Sequence, residues 1–231
     1  ELLSIVAHPA TTPAFDALVK QHQADMAYFM GDAANMALAL GGVRLSEEET
    51  EAYHTEMAAR YNLHAPEIPG LVGTSWAHQR AAYADAMSRP ATMLALGLGA
   101  GKTRVAIGAI VNRDARRVLI LAPKSVVPVW QQEYLKHLGP STPHPGVILT
   151  LEDGSVQTKR TVAARFLEMY ADRRVTIVTN YDAARNEPVR SWSLSAGFDM
   201  VVCDESQRIK AAGGVTSRYV AALGRQAKYR L

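Results

Sequence analysis

The 231-residue chain holds a single cysteine, Cys203. One thiol cannot close an intramolecular disulfide, and no histidine or cysteine cluster has zinc spacing, so a disulfide scaffold and a zinc module are both excluded. The same scarcity implies a reducing, intracellular and cytoplasmic setting. His8, His22, His54 and His64 lie at spacings unlike those of metal ligands. Long apolar runs are missing too. None approaches the roughly 18 residues needed to cross a bilayer, so no membrane partner is expected. The start, Glu1-Leu2-Leu3-Ser4, has no initiator Met and no basic stretch, so it does not read as a signal peptide. The missing Met suggests a piece of a longer protein. Internal repeats and low-complexity tracts are also lacking.

What is present is divided unevenly. The apolar fraction of 48% is enough for an ordinary core. Residues 1–70 hold 10 acidic and 3 basic side chains, net −7, and residues 71–231 hold 12 and 22, net +10, matching the chain's overall +3. The change falls at Pro66-Glu67-Ile68-Pro69-Gly70, a stretch of linker composition, where a domain boundary is expected. The basic part suits a polyanion, although a solvated surface explains the charge equally well. Residues 1–70 read as a small, mainly helical domain. One helix is expected within 14–40, and a second from Ser46 to about residue 63, opened by a capping box of Ser46 and Glu49.

Beyond residue 70, strands and helices alternate. Helices are expected at 76–87, 105–111, 126–137 and 156–170, and strands at 91–96, 117–122, 146–151, 174–179 and 200–203. Residues 227–231 lead into a further strand. The strand candidates are unbroken apolar runs rather than alternating ones, which suits a parallel sheet covered on both faces. Right-handed crossovers between such strands give a doubly wound α/β fold.

Two stretches carry chemistry. Ala95-Leu96-Gly97-Leu98-Gly99-Ala100-Gly101-Lys102-Thr103 stands between an expected strand and an expected helix. Glycines let successive backbone N–H groups turn inward on an anion, and the helix N-terminus adds its positive end. Lys102 can reach the β- and γ-phosphates of a nucleotide, and the Thr103 hydroxyl can ligate Mg²⁺. The strict phosphate-loop pattern wants Gly where Leu96 stands, and a plain glycine-rich turn is the alternative. The second stretch, Phe198-Asp199-Met200-Val201-Val202-Cys203-Asp204-Glu205, sets two carboxylates at the end of an apolar strand. Asp204 can hold the Mg²⁺ shell and Glu205 can polarise the attacking water. Cys203 reads as a small buried apolar residue.

Asp204-Glu205-Ser206-Gln207-Arg208-Ile209-Lys210 resembles the DExH-type box of superfamily-two helicases, in the form found in Swi/Snf-like ATPases. Gly99-Ala100-Gly101-Lys102-Thr103 resembles their phosphate loop. The run from Val118 to Trp130, with Pro123-Lys124-Ser125 at its centre, is similar to their motif Ia. Val175-Thr176-Ile177-Val178-Thr179-Asn180-Tyr181-Asp182 is similar to their Thr-Thr-Tyr-Glu segment. The four segments agree in order and spacing, and the resemblance covers about residues 74–231. Leu96-Gly97-Leu98 departs from the usual Asp-Glu-Met, and Gln207 stands where His is more common.

The resemblance implies the first RecA-like domain of a DNA translocase, an ATP hydrolase as a full-length protein, with ATP and Mg²⁺ as cofactors. It implies Lys102, Asp204 and Glu205 as catalytic residues. The nucleotide contacts are Gln79, at the adenine, and Gly97, Gly99, Ala100, Gly101, Lys102, Thr103 and Arg104. Thr103 and Asp204 hold the metal, and Lys124, Ser125, Thr179 and Asn180 contact nucleic acid. Duplex DNA is the expected track, with RNA as the alternative. A second RecA-like domain bearing arginine fingers is the expected partner within the parent chain, so this segment should bind ATP with little turnover. A protein partner could dock on residues 1–70. A module that only binds nucleotide is the reading from another class. Trp130 reads as a core or interface residue rather than a base-stacking platform.

Overall fold

A computed structural model describes residues 65–97, 99–211 and 213–231. The chain divides into two units, Glu1–His64 and Ala65–Leu231, and every element below belongs to the second. The helices expected at 14–40 and 46–63, the Ser46–Glu49 capping box and the four early histidines fall outside the described residues, as does Leu98 of the glycine loop.

The described unit is a five-stranded parallel sheet. Its strands are β1 (Arg117–Ala122), β2 (Val147–Thr150), β3 (Val175–Asn180), β4 (Met200–Cys203) and β5 (Tyr229–Arg230). They lie in the order β2-β3-β1-β4-β5, so the strand that comes first in sequence is central. β1 pairs with β3 from Arg117↔Val175 to Ala122↔Asn180, and with β4 from Val118↔Met200 to Leu121↔Cys203. Its side chains divide by pleat. Val118, Ile120 and Ala122 enter one core, while Leu119 and Leu121 enter the other. Both faces are buried, which is why these strands read as unbroken apolar runs.

The first core is completed by α2 (Lys102–Asn112) and α3 (Val127–His137), and α1 (Ala77–Ser88) packs on α2. The second core is completed by α4 (Val156–Met169), α5 (Tyr181–Arg185), α6 (Val189–Ser195) and α7 (Val215–Gln226). A 3-10 turn, Ser206–Ile209, follows β4. Helices therefore cover both faces, the doubly wound arrangement expected from the strand–helix alternation. Asp199 pins the start of β1, because its carboxylate Oδ2 accepts from the backbone N–H groups of Arg116 at 2.8 Å and Arg117 at 2.9 Å.

Two expectations are corrected. Residues 91–96 do not form a strand. Ala91 makes one parallel bridge to Arg230, and the chain then leaves the sheet, with Met93 61% exposed. From Ala91 to Leu96 exposed and half-buried residues alternate, so this run lacks the two-sided burial of the sheet strands. Pro66–Gly70 does not behave as a linker either. Ala65 and Ile68 are buried. Ile68 sits so tightly over α2 that a Cβ on Gly108 would lie 2.6 Å from its Cγ2. α5, α6 and α7 were not expected from the sequence. α5 and α6 have only 5 and 7 residues, too few to display a helical period.

Candidate nucleotide site

The glycine loop enters α2 through two left-handed residues, Gly99 at φ 74° and Gly101 at φ 81°, the latter being the N-cap. This backbone region strongly disfavours residues with a Cβ. Lys102 folds back over the loop, and its Nζ donates to the carbonyls of Leu96 and Gly97, each at 2.9 Å. The first turn of α2 carries no acidic side chain, so its positive dipole end stays uncompensated by the helix itself.

The start of α1 clamps this loop. Gln79 is 6% exposed. Its Oε1 accepts from Trp76 N at 3.0 Å, and its Nε2 donates to the Ala100 carbonyl at 3.1 Å. His78 Nε2 approaches the same carbonyl at 2.9 Å. The first bond is half of a capping box, and the second carries α1's position into the loop. The amide expected to read adenine is thus engaged in holding the loop, with one N–H and one oxygen lone pair left over.

Asp204 and Glu205 follow β4 at its carboxyl end. Asp204 is held at three atoms by three elements. Its N–H donates to Leu121 O of β1 at 2.8 Å, and its carbonyl accepts from the Tyr181 hydroxyl of α5 at 2.8 Å. Its Oδ2 accepts from the Trp130 indole of α3 at 2.9 Å. Burial pushes the Asp204 carboxyl above the usual carboxylate range; the Trp130 hydrogen bond opposes this, the neighbouring Glu205 adds to it, and the Lys102 charge opposes it. Glu205 is left-handed, at φ 53° and ψ 53°, alone in this among the described non-glycine residues. Its carboxylate accepts from Gln207 Nε2. Such backbone strain, of order 1–3 kcal/mol, clusters at functional positions. The Cys203 thiol is pushed up to about 11 by burial, so it is neutral and inert at physiological pH.

The other expected residues separate into groups. Thr103 lies half-buried in the first turn of α2, and Gly97 and Ala100 lie in the loop. Arg104 belongs elsewhere. It is buried, and its guanidinium donates to Ser75 Oγ at 3.0 Å, Val72 O at 2.8 Å and Gly73 O at 2.6 Å. It also meets His137 Nδ1 at 3.0 Å. Its side chain secures the 72–75 turn to α2 and α3 and is engaged there. Lys124 and Ser125 are exposed in the turn between β1 and α3, as a nucleic-acid contact requires. Thr179 and Asn180 are not, being 1% and 7% exposed at the end of a strand flanked on both sides. The Asn180 carbonyl oxygen caps α5 by accepting from Ala183 N at 2.8 Å. Neither can meet a backbone phosphate by its side chain.

The holding of Asp204 by Trp130 and Tyr181 was not foreseen. The available signal was that a buried indole or phenol needs a partner for its polar atom. Among the described residues no cluster of three or more metal-ligating side chains occurs, and no helix is long and apolar enough to cross a membrane.

The site fits a magnesium–nucleotide in the chemistry of its donors. It combines an ammonium, a hydroxyl at a helix N-terminus, left-handed glycines that turn the loop, and a carboxylate held in place at the end of β4. A parallel α/β sheet with this loop ahead of a helix defines a phosphate-loop protein of the RecA-like class. A family model described as the SNF2-related domain matches residues 22–231, and the chain belongs to that family. The match begins well before the motifs at residue 74. No curated protein matches the chain. Among solved structures, the UvsW helicase from bacteriophage T4 is similar at 16% identity and a TM-score of 0.44. The alignment covers 81% of this chain and 59% of that one, so the chain spans about three-fifths of that protein's length.

Proposed function

We propose that the 65–231 unit binds Mg-ATP between the Lys102 loop and Asp204–Glu205, as the first half of a motor that moves on duplex DNA by hydrolysing ATP. One observation carries the reading: the left-handed Gly99 and Gly101 turn the loop into the N-terminus of α2 and set Lys102 and Thr103 at its first two positions. In this reading the loop amides and the α2 N-terminus hold the phosphates. Lys102 exchanges its two carbonyl partners for phosphate oxygens. Thr103 and Asp204 hold the magnesium shell, which supplies charge neutralisation at the β- and γ-phosphates when bound. Glu205 takes a proton from the attacking water, and Gln207 orients its carboxylate. Gln79 keeps the loop aligned and would offer its remaining N–H and oxygen lone pair to the adenine.

Lys124 and Ser125 contact the DNA backbone without reading sequence, as a motor on any sequence requires. The acidic residues 1–70 serve a protein partner rather than DNA. A second RecA-like domain of the parent chain supplies arginine fingers, worth about 10³–10⁵ in rate, so residues 1–231 alone turn ATP over slowly in the cytoplasm or the test tube. Calorimetry on wild type and Lys102→Ala tests the nucleotide site. Loss of the charge-assisted contact should weaken Mg-ATP binding by about 1.5–3 kcal/mol. Equal affinities would refute it. Stimulation of the parent's ATPase by RNA but not by duplex DNA would overturn the choice of track.

A further inference from the structure

We propose that Trp130 is a positioning residue for the metal site: its indole N–H fixes the Asp204 side chain so that the other carboxylate oxygen is left for the magnesium shell. The inference rests on the ATP-site reading above. Of the three bonds that hold Asp204, two grip backbone atoms: the N–H on Leu121 O and the carbonyl on the Tyr181 hydroxyl. They set where the residue lies but leave the side chain free to turn. The indole bond at 2.9 Å acts on the carboxylate itself, beside a hydrogen bond from the neighbouring Glu205 backbone, and is the one that comes from another element.

The donor is itself immobile. Trp130 is 2% exposed and sits one turn into α3, where Val127 and Tyr134 are equally buried against the sheet. An indole has one N–H and no acceptor, so it can satisfy one carboxylate oxygen and cannot compete for the metal. Outer groups of this kind, which orient a metal-binding side chain by hydrogen bond, commonly set metal affinity by a factor of ten or more. The same turn leads in through the exposed Lys124 and Ser125, so one rigid helix entry bears both the proposed DNA contact and the support of the metal ligand.

The test compares nucleotide binding with Mg²⁺ and with EDTA, for the full chain and for Trp130→Phe, which keeps the ring and removes the donor. Wild type should bind ADP more tightly with Mg²⁺ than without. In Trp130→Phe the EDTA affinity should be unchanged while the Mg²⁺ enhancement falls by about tenfold. An undiminished enhancement in a folded Trp130→Phe overturns the inference. Should that variant not fold, the wild-type indole resonances decide: the Trp130 N–H signal should shift in Asp204→Ala, and an unmoved signal overturns the inference. If wild type itself binds no nucleotide, the ATP-site reading fails, and the inference falls with it.

Discussion

Replacing Gly101 by alanine tests the loop where two costs meet. The residue is left-handed at φ 81°, and leaving glycine there costs about 1–2 kcal/mol in backbone strain. An added Cβ would also lie 2.2 Å from Gln79 Nε2, closer than any packing permits. The Gln79 amide must then move, although it is 6% exposed and bonded at both ends. Losing those two hydrogen bonds adds about 0.5–1.5 kcal/mol each. The total is roughly 2–5 kcal/mol, which for a domain of this size lowers the thermal midpoint by about 2–4 °C per kcal/mol. The costs separate in a double-mutant cycle. In a Gln79→Ala background the clash is gone, so Gly101→Ala should cost only its backbone strain. Thermal denaturation measures the four proteins, and nucleotide calorimetry repeats the comparison for the bound state. Additive effects of the two substitutions would refute the idea that Gln79 and the loop form one unit.

Three further outcomes follow from other groups. Arg104→Ala should lower stability by at least about 1.5–3 kcal/mol, since it strips buried carbonyls of a charged donor, yet leave the affinity of the folded protein for Mg-ATP unchanged; calorimetry showing a phosphate-sized loss would restore Arg104 to the nucleotide contacts. His137 is held below its ordinary 6.5, first by burial and then by the Arg104 charge. The folded state therefore resists protonation more than the unfolded one, so this stability is complete above pH 6.5 and is lost as the pH falls through the lower folded value. Urea midpoints of His137→Gln should decline less than those of wild type from pH 7 to pH 5, and parallel declines would contradict this. Lys124→Ala should weaken DNA binding equally across sequences and reduce the salt slope by about 1, with a salt titration as the check, whereas Thr179→Ala should do neither.

How far the sequence reached depended on which interactions were local. β1 and β4 were expected at the residues observed, because a continuous apolar run and its bounding charges are visible in the chain. The left-handed glycines of the loop and the place of Asp204–Glu205 after β4 were legible because each is set by a few neighbouring residues. The errors lie where a side chain's task is set by something distant. Arg104 follows the loop in sequence and would pass for a phosphate ligand, but its acceptors come from residues about thirty positions earlier. Thr179 and Asn180 stand at a strand end, where ligands often bind, but both side chains are buried and that of Asn180 caps α5. Residues 91–96 have a strand's composition but not the two-sided burial of the sheet strands. Trp130 was rightly placed in the core, but its bond to Asp204 spans 74 positions and left no local trace.

The same distinction bears on where the unit starts. Composition put the boundary after Gly70, but residues 65–70 are bonded from four places in the larger unit. Arg80 Nε donates to Ala65 O at 2.9 Å, and Ser75 N to Glu67 Oε1 at 2.7 Å. Asn112 Nδ2 donates to Pro69 O at 3.0 Å, and Thr142 Oγ1 to Gly70 O at 2.6 Å. Ile68, 1% exposed, adds a fully buried side chain over α2. Truncating such a side chain to alanine alone costs about 2–5 kcal/mol. A segment of residues 71–231 should therefore be less stable than one of residues 65–231 by at least that amount, with the loss expressed at α2, the helix that opens on the phosphate loop. Ile68→Ala in the full chain should reproduce much of the loss without any change of length. Denaturant titration of the three proteins is the measurement. Equal midpoints for the 71–231 and 65–231 segments would return the boundary to Gly70 and make the packing of Ile68 on α2 energetically idle.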